Sequence, residues 1–158
     1  MIYLVIPCYN EQEVLEDSTK KLASLIGRMQ GEDMRILFSD DGSRDETWNI
    51  ICKLHHQYPF VEGIRLAHNE GHQKALWAGM EAAADRAEAI ISIDADLQDD
   101  IEVIPRMVAD FRQGADVVYG VRKERDTDSA FKRLTALTFY RLMNTLGSHL
   151  VYNHADFR

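Results

Sequence analysis

Ala89-Ile-Ile-Ser-Ile-Asp-Ala-Asp-Leu-Gln98 is the stretch on which the reading of this chain turns. Ala89 to Ile93 is a short apolar run rich in β-branched residues, and it reads as a buried strand. Asp94 and Asp96 then stand where the strand stops. In an open α/β sheet, ligands bind outside the carboxyl ends of the strands. Side chains alternate along an extended segment, so Asp94, Asp96 and Gln98 share one parity. Two close carboxylates repel unless something neutralises them, and a hard divalent cation does so with oxygen ligands. The plainer alternative is a solvated acidic turn with Asp99 and Asp100 as helix caps.

Upstream and downstream of this stretch, strand and helix patterns alternate. Expected strands are Ile2 to Ile6, Arg35 to Ser39, Phe60 to Leu66, Ala89 to Ile93 and Ala115 to Tyr119. Between them lie helical periodicities. Val14, Ser18, Leu22, Leu25 and Met29 form one; Trp48, Ile51, His55 and Tyr58 form the next. A helix rich in small residues spans His72 to Arg86. Ile101, Ile104, Val108 and Phe111 mark the fourth, with Gly114 just past its end. Asn10 with Glu13, and Ser43 with Glu46, have capping-box spacing. Strict alternation of this kind predicts an α/β fold with a mostly parallel sheet covered on both faces.

Composition narrows the function classes. A chain of 158 residues is long enough for one domain with a real core. Its net charge of -8 argues against nucleic acid as partner. Cys8 and Cys52 are too few for a disulfide scaffold, match no zinc spacing, and fit a reducing compartment. Met1 to Ile6 runs straight into Pro7 without a signal-peptide pattern, and no apolar run reaches membrane-spanning length.

After Arg122 the character changes. Residues 123–128 are charged and read as a loop. Ala130 to Leu146 reads as an amphipathic helix whose charges, Lys132, Arg133 and Arg141, are all cationic, with Phe131 on its broad apolar side. From pattern alone a helix packed on its own domain is favoured over one lying at a membrane interface. The division expected is an α/β core, residues 1–122, followed by residues 123–158 with the loop, the helix and a closing segment.

The strand ends converge on one sheet edge: Pro7 to Glu11, Asp40 to Ser43, Asn69 to Lys74, Asp94 to Gln98 and Gly120 to Arg122. That edge offers carboxylates, helix N-termini and a guanidinium, a combination suited to a nucleoside diphosphate held through a metal. His68, His72, His55 and His56 read as ordinary loop or helix histidines. Cys8, with no activating base nearby in sequence, reads as a buried small side chain.

With Ile6-Pro-Cys-Tyr-Asn-Glu11, Asp40-Asp-Gly-Ser43, Asn69-Glu-Gly71, Asp94-Ala-Asp-Leu-Gln98, Gly120-Val-Arg122 and the late Asp156-Phe-Arg158, the chain resembles family 2 glycosyltransferases of the GT-A, Rossmann-like fold. Within them it is most similar to the polyprenyl-phosphate branch. The resemblance implies an inverting enzyme that moves a sugar from a UDP- or GDP-sugar to a polyprenyl phosphate such as undecaprenyl or dolichyl phosphate. It implies that Pro7, Tyr9 and Glu11 border the base and ribose, that Asp40 or Asp41 bonds the base, and that Gly71 lies on the nucleotide side. Asp94, Asp96 and Gln98 match the metal positions, for Mg²⁺ or Mn²⁺. Asp94, Asp96 and Arg122 match the catalytic set, Arg122 meeting phosphate. Gly71 is followed by His72 and Gln73, where family members often carry a lysine. Phe131, Lys132, Arg133 and Arg141 match an interfacial segment, which reverses the preference for a packed helix and places the enzyme on the cytoplasmic face of a membrane. Homo-oligomers are compatible with this reading. By the same resemblance, chain is expected to continue beyond Arg158.

Rival readings are a family 2 enzyme with a saccharide acceptor, a metal-dependent phosphotransferase, and a response-regulator-type binding module. A phosphotransferase places its Asp-x-Asp after the first strand, where this chain has Pro7-Cys-Tyr-Asn10. A response-regulator module explains Asp40, Asp41 and Asp94 but neither Arg122 nor the basic helix.

Overall fold

The computed structural model describes residues 1–120. Arg122, the predicted amphipathic helix with Phe131, Lys132, Arg133 and Arg141, and the Asp156-Phe-Arg158 motif lie outside the described residues.

β1 (Ile2–Cys8), α1 (Leu15–Arg28), β2 (Met34–Asp40), α2 (Thr47–Gln57), β3 (Val61–Arg65), α3 (His72–Ala84), β4 (Ala89–Ser92) and α4 (Ile104–Arg112) follow one another, with a 3₁₀ turn at Ile101–Val103 before α4. The four strands pair in parallel in the order β3-β2-β1-β4. Chain order therefore runs outward from β1 through β2 to β3, then jumps back across β1 to β4. Parallel crossovers share one hand, so the jump places α3 on the opposite face from α1 and α2. Side-chain alternation agrees with this. Tyr3, Val5 and Leu37 pack with Leu76 and Ala83 of α3. On the other face, a Cβ at Gly63 would meet Ile51 of α2 at 2.5 Å. With both faces covered, Ile2 to Ile6 are 0% exposed, which is why the first strand reads as an unbroken apolar run.

β1 is longer than expected and continues through Pro7 and Cys8. The backbone groups of Met1 and Val5 face β4, accepting from Glu88 and Ile93, and those of Cys8 face β2. Pro7 therefore turns its missing N–H toward the β4 side, beyond Ser92, the last residue of β4 to pair with β1. Proline costs the ladder nothing there. The step where β1 outruns β4 is also the point at which strand order reverses.

Several expectations are corrected. Residues 115–119 form no strand; Val117 is 59% exposed and nothing in the described sheet pairs with it. Neither capping box forms. α1 starts at Leu15, after a turn in which Glu11 carbonyl accepts from the Val14 and Leu15 amides, and α2 starts at Thr47. Asn10 and Ser43 are drawn instead into bonds between loops. α2 buries Thr47, Ile50, Ile51 and Leu54, a face rotated from the one read off Trp48, Ile51, His55 and Tyr58. α4 ends as its sequence indicates. Gly114 at φ +99° donates to Phe111 carbonyl and Ala115 donates to Asp110 carbonyl, a Schellman motif.

Candidate functional site

At the carboxyl edge the loops after β1, β2 and β3 are stitched together by side chains bonding to main chain. Asn10, left-handed at φ +55°, accepts from the Arg44 amide at 2.9 Å, while its own amide donates to Ser43 Oγ at 2.9 Å. Thr47 Oγ1 accepts from the Glu11 amide at 2.8 Å. Asn10 and Ser43, apparent caps in the sequence, bond instead between loops, across 33 and 34 residues of sequence.

The two adjacent aspartates have different roles. Asp40 is 0% exposed; its Oδ1 accepts from the Ser43 amide at 3.0 Å and from the Ser43 hydroxyl. Arg65 Nε stands 3.1 Å from its Oδ2, an ion pair not aligned as a hydrogen bond. Arg65 also donates to Ser43 carbonyl and lies over the Trp48 ring. Asp41, 2% exposed, reaches across to the third loop and accepts from the Glu70 amide at 2.7 Å and the Gly71 amide at 2.8 Å. Gly42 follows them at φ +67°, and a Cβ there would stand 2.7 Å from His68 carbonyl carbon. The third loop is thus seated directly on the second.

These loops enclose a pocket of about 200 Å³. Pro7, Cys8, Tyr9 and Glu11 supply one wall, Asp41 the floor toward β2, and Asn69, Gly71 and His72 the rim beside α3. Every residue assigned by resemblance to the nucleotide lines this pocket except Asp40, which is sealed behind it. His72, read from sequence as an ordinary histidine, is the first residue of α3 and lines the pocket, with Nε2 3.9 Å from Asp94 Oδ1. A histidine directly after the glycine of a strand-end loop, where the next helix starts, was the available signal in the sequence. Cys8 is buried; burial first, then Asp40 and Glu11, drive its thiol far above the ordinary range, so it is no nucleophile.

Asp94 and Asp96 stand beside this pocket rather than in its lining. They are not presented by an extended segment: Leu97 amide donates to Asp94 carbonyl at 3.1 Å and Leu97 is left-handed at φ +51°, so residues 94–97 form a turn. Gln98 faces Asp96, donating to it from its amide at 3.2 Å and from Nε2 at 2.8 Å. Among the described residues no three His, Cys, Asp or Glu side chains are grouped to hold a metal. Two hard carboxylates with one amide still suit an Mg²⁺-like ion, which takes one or two carboxylates and completes its shell with water and substrate phosphate.

The charge crowding bears on Glu11. Its carboxyl is raised above the ordinary value by burial first, then by Asp96, Asp45 and Asp94. A carboxyl raised in this way is protonated more readily folded than unfolded. It adds stability as pH falls through its folded value, and its ionised form subtracts stability at neutral pH. Glu11→Gln is therefore expected to raise Tm at pH 7.5 by up to a few degrees, with the gap closing toward about pH 4. Thermal scans at the two pH values check this; a mutant less stable than wild type at pH 7.5 contradicts it.

The sheet is of the parallel α/β class that binds its ligands outside the carboxyl ends of the strands, and the pocket lies at that edge. The profile of glycosyl transferase family 2 matches residues 3–158, and the chain belongs to that family. It is 49% identical to an uncharacterized glycosyltransferase, YkoT, of Bacillus subtilis, over 100% of this chain and 48% of the relative. It is 39% identical to a prophage bactoprenol glucosyl transferase homolog of Escherichia coli, over 99% of this chain and 51% of the relative. The chain thus spans about half the length of the curated relatives it matches. Glucosyl-3-phosphoglycerate synthase from Mycobacterium tuberculosis shares the fold, with TM-score 0.62 and 20% identity over 98% of this chain and 55% of that one.

Proposed function

We propose that this chain is the donor-binding part of an inverting glycosyltransferase that moves a sugar from a nucleoside-diphosphate sugar to a polyprenyl phosphate. The observation that carries the reading is the pocket over the carboxyl ends of β1 and β2, walled by Pro7, Tyr9, Glu11 and Asp41, with His72 on its rim 3.9 Å from Asp94. The names of the bactoprenol glucosyl transferases, 38% and 39% identical to this chain, support the acceptor class.

In this reading the base and ribose occupy the pocket, with Gly71 close to the nucleotide. Asp41, with one face on the pocket, is the aspartate that meets the base, and Asp40 holds the loop from behind. Asp94 and Asp96, with Gln98, hold the divalent cation, Mg²⁺ or Mn²⁺, which when bound neutralises charge on the leaving diphosphate. Arg122 grips a phosphate through its guanidinium fork.

The acceptor oxygen attacks the anomeric carbon as the bond from that carbon to the diphosphate breaks, and the nucleoside diphosphate leaves. A phosphate monoester with a second pKa of about 6 is already anionic at neutral pH. No side chain has to remove a proton, so the protein's contribution is orientation and charge. The lipid acceptor places the reaction at a membrane surface, on its cytoplasmic face. No described helix is long and apolar enough to cross a membrane.

The test is transfer by the full-length enzyme from UDP- and GDP-sugars to a short polyprenyl phosphate, with and without Mn²⁺. The expected product is the polyprenyl-phosphate sugar from one of the two donors. Transfer to a saccharide acceptor with none to the lipid phosphate would overturn the acceptor assignment.

A further inference from the structure

Ser18 is a polar residue in an apolar stripe. Its helical neighbours on the buried side of α1 are Leu15, Leu22 and Leu25, and Ser18 itself is 4% exposed. A buried hydroxyl inside a helix ordinarily bonds back to the carbonyl four residues earlier. Thr19, next to it, does so, donating to Leu15 carbonyl at 2.7 Å. Ser18 does not. Its hydroxyl leaves the helix and donates to Ala95 carbonyl at 2.6 Å, across 77 residues of sequence.

Ala95 is the residue between the two strand-end carboxylates, and it is 4% exposed. Its neighbours form the turn closed by Leu97 amide on Asp94 carbonyl, with Leu97 held at positive φ. A non-glycine residue in that conformation persists when its surroundings determine it. The turn follows β4, an edge of the described sheet that ends at Ser92, so the sheet ladder does not reach it. The Ser18 bond fixes its middle carbonyl from the helix side.

We propose that Ser18 is a positioning residue for the acidic turn: by anchoring Ala95 carbonyl to α1, its hydroxyl sets the direction in which Asp94 and Asp96 are presented. The inference rests on the reading of those carboxylates as the cation-binding pair. The Ser18 bond runs to Ala95 carbonyl, so its influence on ligand binding passes through the backbone of the turn.

Full-length Ser18→Ala, Ser18→Thr and Leu22→Val proteins separate positioning from general stability. Leu22 is 0% exposed on the same face of α1, so Leu22→Val loosens the core while keeping the Ser18 hydroxyl. Calorimetry with UDP, with and without Mn²⁺, is the first readout. Losing one net hydrogen bond predicts about a fivefold fall in the Mn²⁺-dependent affinity for Ser18→Ala. Ser18→Thr, if its Tm matches wild type, restores the affinity, and Leu22→Val keeps it. Hydrogen exchange of the Leu97 amide is the second readout, and it should quicken in Ser18→Ala alone. Unchanged exchange, or equal affinity losses in Ser18→Ala and Leu22→Val, overturns the inference. A wild-type protein without Mn²⁺-dependent binding, whose Leu97 amide is nevertheless protected by Ser18, refutes the cation reading, and with it the functional part of the inference, while leaving the tie itself intact.

Discussion

Gly42→Ala is expected to lose about 3 kcal/mol or more of stability, and to lose nucleotide binding even where the variant remains folded. Two costs add. The backbone at φ +67° is left-handed, which costs a side chain on the order of 1 kcal/mol. The new Cβ would also lie 2.7 Å and 2.8 Å from His68 backbone carbons and 3.0 Å from the Asn69 amide nitrogen. These are main-chain atoms, so the whole third loop must shift. That loop carries the Glu70 and Gly71 amides gripped by Asp41, and His72 at the pocket rim. For a domain of this size such a loss lowers Tm by roughly 6 to 12 °C. Gly31→Ala is the control. Gly31 has φ +92° with nothing within 4 Å of its Cβ position, so only the backbone strain applies. Equal Tm losses in the two variants, with UDP binding intact in both, would show that the seating of one loop on the other is not rigid.

The same contact shows where reading the sequence stops. Parallel strands buried on both faces write themselves as apolar runs, so β1 to β4 were legible, and so was the edge that would carry the site. Asp40, Asp41 and Gly42 were legible as a strand-end turn. That Asp41 reaches into the next loop was not, because the donors it accepts from are main-chain amides, and amides leave no trace in the residue types around them. The capping boxes failed for a related reason. Asn10 and Ser43 have the right chemistry for caps, but each bonds to the neighbouring loop instead. The fifth strand failed because Ala115 to Tyr119 has strand composition and no partner strand among the described residues. Ser18 was visible as a helix residue on the apolar stripe; only the fold reveals why a hydroxyl stands there.

Asp96→Asn is expected to lower turnover by about a hundredfold or more and to remove Mn²⁺-dependent nucleotide affinity, while Tm stays level or rises. Asparagine keeps the shape of the side chain and an oxygen to accept the Gln98 amide, now 3.2 Å away, so the turn should survive. What disappears is one negative charge beside Asp94 and Glu11. For a bound cation this removes a ligand of the kind it prefers, and charge stabilisation of a leaving diphosphate is worth several kcal/mol. For the protein without a cation it removes repulsion, since Asp96 is the foremost charge raising the Glu11 carboxyl. Activity and stability should therefore move in opposite directions, as they do where a site stores like charge for a ligand to neutralise. Asp100→Ala tests the plainer reading of these acids. Asp100 accepts from the Glu102 amide at 3.0 Å and caps the turn before α4, so its loss should cost about 1 kcal/mol of stability and leave the Mn²⁺ dependence alone. An Asp96→Asn protein that binds UDP as tightly as wild type with Mn²⁺ would reduce Asp94-Ala-Asp96 to a solvated acidic turn.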